Sequence, residues 1–308
     1  SLQIVPSGSL SITLELPITN LITSAAGSLL ERAFTTTGTG YTIILGRGAV
    51  FINSSGSTSG YSLRLNDSLQ ILQGGKYIHR SRTGHAEIVQ LLSRRSGTET
   101  GVFRFENPDA ASTISLSDRV FGSLQLSASA SATGLVSYSA SGTNPVLVRG
   151  DLVLEQGASL ALNFDDTITV AGNCNLSNAV LNLASGNRSA VLLLQGNWLQ
   201  AGGTVRATNS QQKTGTILLK GRTLQLISNT GILVDSVIVD IMNGAGVQLT
   251  EQLHCPHGFR LSKGSLKTTR SNMLVLGNDC WLKVDSLAPS NFVDGPMTKQ
   301  ALNGGYFF

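Results

Sequence analysis

The sequence predicts an all-β chain wound as a right-handed parallel β-helix, and three observations carry that expectation. Four consecutive rows share one phase, charged residues are scarce, and helical periodicity is nearly absent. The rows are VRGDLVLEQGASLALNFDDTIT from Val148, VAGNCNLSNAVLNLASGNRSAVLL from Val170, LQGNWLQAGGTVRATNSQQKTGTIL from Leu194 and LKGRTLQLISNTGILVDSVIVDIM from Leu219. Their starts lie 22, 24 and 25 residues apart, and each row opens apolar-x-Gly before short alternating runs such as LVLEQ and LALNF. Two or three short strands per period make one coil. Strands of successive coils then lie about 4.8 Å apart, and inward Leu, Val and Ile stack into a core. One coil cannot bury its own apolar face, so many must be joined. Crossover chirality favours the right hand. A β-sandwich shares the alternation and the turn spacing, but glycine turns phased over four rows favour the solenoid.

Residues 1–147 read as less regular coils, with the phase carried by LNDSLQILQGG and VFGSLQLS. One short helix is expected at GHAEIVQLLSRR, residues 84–95. Residues 148–308 hold the clear repeats, continued by MNGAGVQL and SKGSLKT. Leu152, Leu176, Leu199 and Leu224, or their immediate neighbours, should point inward. The whole chain, 1–308, reads as a single elongated β-helix cut from a larger protein.

Composition narrows the function classes. The 308 residues include 34 Gly and only 13% charged residues, with a net charge of +4. Lys and Arg are scattered, so the clustered basic stripe of a nucleic-acid binder is missing. Apolar runs such as AVLLLQ fall far short of the ~20 residues a membrane helix needs, and no membrane insertion is expected. The start, SLQIVPSGSL, lacks the charged and apolar regions of a signal peptide. Cys174, Cys255 and Cys280 form no CxxC pair and no disulfide framework.

VRGDL contains Arg149-Gly150-Asp151, the tripeptide read by cell-adhesion receptors. Its Gly150 holds the place of Gly172, Gly196 and Gly221 in the following rows, and Asp151 that of Asn173, Asn197 and Arg222. Gly followed by Asp or Asn is ordinary turn chemistry, with Gly free to take positive φ. The tripeptide therefore reads as a coil corner, with Val148 and Leu152 in the core.

Three clusters could carry chemistry. KYIHRSRTGH offers Tyr77 and His79 as acid and base, with Arg80, Arg82 and His85 as candidate ligand-binding partners; the competing reading is a polar loop leaving the coil. Asp165-Asp166 could serve glycoside hydrolysis or calcium, but adjacent strand residues face opposite ways, which favours a turn. HCPHG offers His254, Cys255 and His257 as metal candidates, one ligand short of a zinc site; Cys280, one coil on from Cys255, could stack on it or form a disulfide. No catalytic residue, cofactor or metal is assigned from these clusters. Asp235 and Asp240 read as turn or exposed positions.

Several segments also carry a resemblance: LRLNDSLQILQGGKYIHRS, GTETGVFRFENPDAASTISLSDRVFGSLQLS, NPVLVRGDLVLEQGASLALN, GNWLQAGGTVRAT and LGNDCWLKVDSLAPSNFVDGPMTK. Together they resemble the repetitive β-rich regions of large secreted or cell-surface proteins of Bacteroidetes-type bacteria. The resemblance implies export, commonly by type IX secretion, and a location outside the cell or on its surface. It implies no settled activity. The expected function is a noncatalytic extracellular structural or adhesion module, a stalk or surface-layer region. Its partners would be the secretion machinery and, beyond that, surface glycans or other cell-surface proteins. The alternative is a polysaccharide-binding β-helix or a polysaccharide lyase or hydrolase.

Overall fold

A computed structural model describes residues 2–6, 11–16, 34–54, 63–81, 85–93, 100–107, 111–130, 132–285 and 290–300. Every strand pairing among them is parallel, and the chain forms a β-solenoid of about ten turns with one short helix, His85–Ser93. Three stacked sheets form its walls: one of twelve strands, one of eight and one of six. Shorter sheets of three strands complete the coils near each end. The helix sits inside the span expected for it. Its apolar side, Ile88, Val89 and Leu92, packs against strands Ser68–Ile71 and Val120–Phe121.

The coil register is the one the row starts define. In the eight-stranded sheet Val148 pairs with Val170, Val170 with Leu194, and Leu194 with Leu219. All four are fully buried. Parallel in-register stacking puts like on like, so alternation along each strand becomes a continuous apolar column through the molecule. In the twelve-stranded sheet the column runs Phe51, Tyr77, Phe103, Leu124, Leu152, Cys174, Trp198, Ile227 and Leu249. Its upper part is aromatic, with Phe51–Tyr77 and Tyr77–Phe103 ring centroids 5.8 and 5.0 Å apart.

The last of the four rows departs from the expected phase in this sheet. Trp198 pairs with Ile227, 29 positions on, because Lys220–Leu224 bulge out as extra corner residues. Leu224 is therefore exposed and Leu199 half-buried; their neighbours Gln225 and Trp198 take the inward places. Gly221 accordingly does not hold the corner. Gln225 does, and its buried amide spans the gap. Nε2 donates to the Leu194 and Gly196 carbonyls, while Oε1 accepts from Gly221 N–H at 2.7 Å and Asn243 Nδ2 at 2.9 Å.

The corner glycines are needed for closeness rather than for positive φ. Gly150, Gly172 and Gly196 lie outside the left-handed region, contrary to the turn chemistry expected at Gly150. Their N–H groups climb the stack instead: Gly150 to Gly122 O at 2.7 Å, Gly172 to Gly150 O at 2.9 Å, Gly196 to Gly172 O at 3.0 Å. A Cβ on Gly196 would sit 2.3 Å from the Gly172 oxygen. No side chain fits there.

Candidate functional site

The Arg149-Gly150-Asp151 corner lies flush with the stack, between strands Val146–Val148 and Leu152–Leu154. All three of its N–H groups are used: Arg149 to Phe121 O at 3.0 Å, Gly150 to Gly122 O at 2.7 Å and Asp151 to Ser123 Oγ at 3.1 Å. The Asp151 carboxylate is used as well, since its Oδ1 accepts from Asn173 N–H at 2.7 Å. Asn173 Oδ1 then accepts from Asn197 N–H at 2.8 Å, and Asn197 Oδ1 from Leu226 N–H at 2.8 Å. Ser123, Asp151, Asn173 and Asn197 thus form a side-chain ladder, each holding the backbone of the next coil. Val148 and Leu152, on either side, are core as expected.

The basic segment divides between inside and outside. Lys76–His79 is a strand of the twelve-stranded sheet, so the reading of this stretch as a loop leaving the coil is corrected. Alternation sends Tyr77 and His79 inward, where each is almost completely buried. Tyr77 Oη lies 3.2 Å from His79 Nδ1 and accepts a long hydrogen bond from Asn53 Nδ2 at 3.4 Å. Burial pushes the Tyr77 hydroxyl far above its ordinary value, the opposite of what a base requires. His85 opens the helix, with its ring 5.8 Å from His79 and 5.7 Å from Phe105. Arg80 points outward into a chain of ion pairs. It lies 3.5 Å from Glu15 and 2.9 Å from Glu106, and Arg104 links Glu106 at 2.8 Å to Glu155 at 2.9 Å. Arg82 lies outside the described residues. The structure therefore brings Tyr77, His79 and His85 together as core rings and separates Arg80 from them.

Asp165 and Asp166 form the bend between strands Ala158–Phe164 and Thr167–Val170, the turn expected for them. Asp166 Oδ1 accepts from Thr167 N–H at 2.6 Å, and Asp165 pairs with Arg188 at 3.3 Å. Asp151 belongs to a different corner. In HCPHG, alternation along Leu253–Cys255 turns His254 to solvent, near Gln300, and buries Cys255. No group of three metal-ligating side chains occurs among the described residues. All three thiols are free and buried; Cys255 stacks on Leu276, and Cys280 follows in the next turn.

A second polar cluster escaped sequence reasoning. Asp240, Arg260 and Lys283 are register partners on the outer face of the eight-stranded sheet, and Asp285 follows two positions after Lys283. Arg260 lies 3.7 Å from Asp240 and 3.5 Å from Asp285, and Lys283 Nζ lies 2.9 Å from Asp285. Ser262 Oγ bridges the carboxylates at 2.8 and 3.0 Å. Asp240 is 6% exposed, which corrects its reading as a turn or exposed position; Asp235 is exposed at the end of strand Ile232–Asp235, with φ of 57°. Desolvation raises the Asp240 carboxyl above its ordinary value against the pull of Ser262 and Arg260, whereas the Lys283 hydrogen bond lowers that of Asp285. The signal was a coil spacing of 20 and then 23 residues, hidden by a register shift after Ile241.

One shallow groove of about 260 Å³ crosses the twelve-stranded sheet, lined by Asn175, Ser177, Leu199, Ala201, Ser228, Thr230 and the edges of Leu176 and Gln200. It contains no titratable group. The fold and these surfaces define a parallel β-solenoid with ladder-stabilised corners. No family model, no curated protein and no solved structure matches the chain.

Proposed function

We propose that this chain is a noncatalytic extracellular structural or adhesion module, a rigid spacer of a surface protein. The observation that supports this most strongly is the use made of the chemically capable side chains. Tyr77 and His79 are core, Asp151 holds the next coil, and Arg80, Arg104, Glu106 and Glu155 are engaged in ion pairs along the face of the twelve-stranded sheet. An enzyme must converge an acid, a base and a charge-stabilising group on an accessible face. The groove across the twelve-stranded sheet is lined by amides, hydroxyls and alkyl groups. A parallel stack that grows by adding coils gives length and stiffness, which suits a stalk. The resemblance to secreted bacterial surface proteins supports an exported location and type IX secretion as the route.

The test is turnover on a panel of neutral and acidic polysaccharides. No product should form. Turnover abolished by His79→Ala or Tyr77→Phe in a folded protein would replace this reading with the lyase or hydrolase one.

A further inference from the structure

We propose that the outer face of the eight-stranded sheet, at its C-terminal end, binds a neutral pyranose glycan, with Trp281 as the stacking platform and the Arg260–Asp285 pair reading adjacent hydroxyls. The proposal rests on the reading of the chain as an extracellular module and names a ligand class for it.

The platform comes first. Trp281 pairs with Gly258 across neighbouring coils. A Cβ on Gly258 would lie 2.5 Å from Trp281 Cζ2, 2.6 Å from Cε2 and 3.0 Å from Nε1. The indole therefore covers the outer side of the glycine α-carbon, in the space a side chain there would fill. Trp281 is only half-buried, whereas Trp198, the other tryptophan, is 1% exposed and belongs to the core. A partly exposed indole offers an apolar ring surface beside a polar N–H, and the C–H face of a pyranose is its natural complement.

The polar partners stand at the right distance. Lys283 is two residues along the same strand from Trp281, and Arg260 is its register partner, so they lie about 7 Å from the platform along the strand direction. That is the span of one sugar ring and its linkage. Arg260 is 38% exposed, Lys283 57% and Asp285 31%, so donors and acceptors face solvent together. The guanidinium of Arg260 supplies donors and the carboxylate of Asp285 supplies further acceptor capacity beside it, the pairing of groups that sugar hydroxyls satisfy. The charges of Arg260 and Lys283 are matched by those of Asp240 and Asp285. With no net field to draw an anion, a neutral glycan is favoured over a uronate. A few convergent polar groups beside an apolar surface are the general composition of a small-ligand site.

Calorimetric titration of the 308-residue chain with cellohexaose, maltohexaose, xylohexaose, mannohexaose and oligogalacturonate tests this. At least one neutral hexaose should bind. Trp281→Ala should weaken it at least tenfold and Asp285→Asn measurably, while Trp281→Phe retains most of the affinity, each variant being folded at the titration temperature. Failure of every hexaose to bind, binding of oligogalacturonate alone, or undiminished binding by Trp281→Ala would overturn the proposal. Each of those results leaves the noncatalytic reading standing; hydrolysis of a bound hexaose would overturn that reading and leave the binding surface in place.

Discussion

Asp151 Oδ1 accepts the backbone N–H of Asn173 at 2.7 Å, one coil further along the stack. A side chain that looks like a receptor signal in the sequence is a rung of the corner ladder in the fold. Asn can make the same bond and Ala cannot. Asp151→Asn should leave the stability of the chain nearly unchanged. Asp151→Ala, which leaves the Asn173 donor without its acceptor, should cost about 1–3 kcal/mol. Chemical denaturation of the two variants checks the difference.

The corner glycines should differ in tolerance. A Cβ on Gly196 meets the Gly172 backbone oxygen at 2.3 Å, which cannot move without shifting a coil. A Cβ on Gly150 meets Ser123 Oγ at 2.3 Å, a rotatable hydroxyl. Gly196→Ala should therefore destabilise the protein much more than Gly150→Ala, measured as the loss in melting temperature.

Gln225 uses both donors and both acceptor sites of its amide while 1% exposed. Gln225→Leu keeps the volume but removes the side-chain partner of the Gly221 N–H and the Gly196 carbonyl, while the Leu194 carbonyl and Asn243 Nδ2 keep Lys220 N–H and Thr223 O; it should cost about 1–3 kcal/mol for each unsatisfied group. A denaturant midpoint close to that of the parent chain would contradict this account of the corner.

The three thiols should be silent in the native state. Burial pushes Cys174 up to about 12 and Cys280 up to about 11, and holds Cys255 well above its ordinary value. Thiolate, not thiol, is the nucleophile. A disulfide reagent at pH 8 should label none of them in native buffer and all three in guanidinium.

Asp240 should make stability depend on pH in a recognisable direction. Its folded carboxyl titrates above the ordinary 3.8, chiefly because it is desolvated. The fold thus binds that proton more tightly than the unfolded chain, and the stability it confers is lost as pH rises through the folded value. Asp240→Asn mimics the protonated form. Its melting temperature, relative to the parent, should be higher at pH 7 than at pH 3. Asp285 is shifted the other way, so Asp285→Asn should lose stability at neutral pH and little in acid.

How much of this was legible in the sequence follows from what repeats can show. Val148, Val170, Leu194 and Leu219 were correctly phased because like residues stack on like in a parallel solenoid. Gly221 was misplaced, and Gln225 rather than Leu224 takes the inward place, because a bulge of extra corner residues breaks the phase on one sheet while the next sheet keeps it. A single period cannot express both. The inward facing of Tyr77 and His79 was hidden by their charged neighbours Lys76 and Arg80, which alternate with them along or just beyond the strand. The Asp240–Arg260–Asp285 cluster was invisible because its members meet only across coils.

Attachment of adhesion-receptor-bearing cells to surfaces coated with the parent chain and with Asp151→Asn tests the central claim most directly. The variant destroys the Arg-Gly-Asp tripeptide while keeping the ladder bond to Asn173. The two proteins should support the same attachment and melt at the same temperature. A folded Asp151→Asn chain that loses attachment would show that this corner is an adhesion signal and not only a rung of the stack.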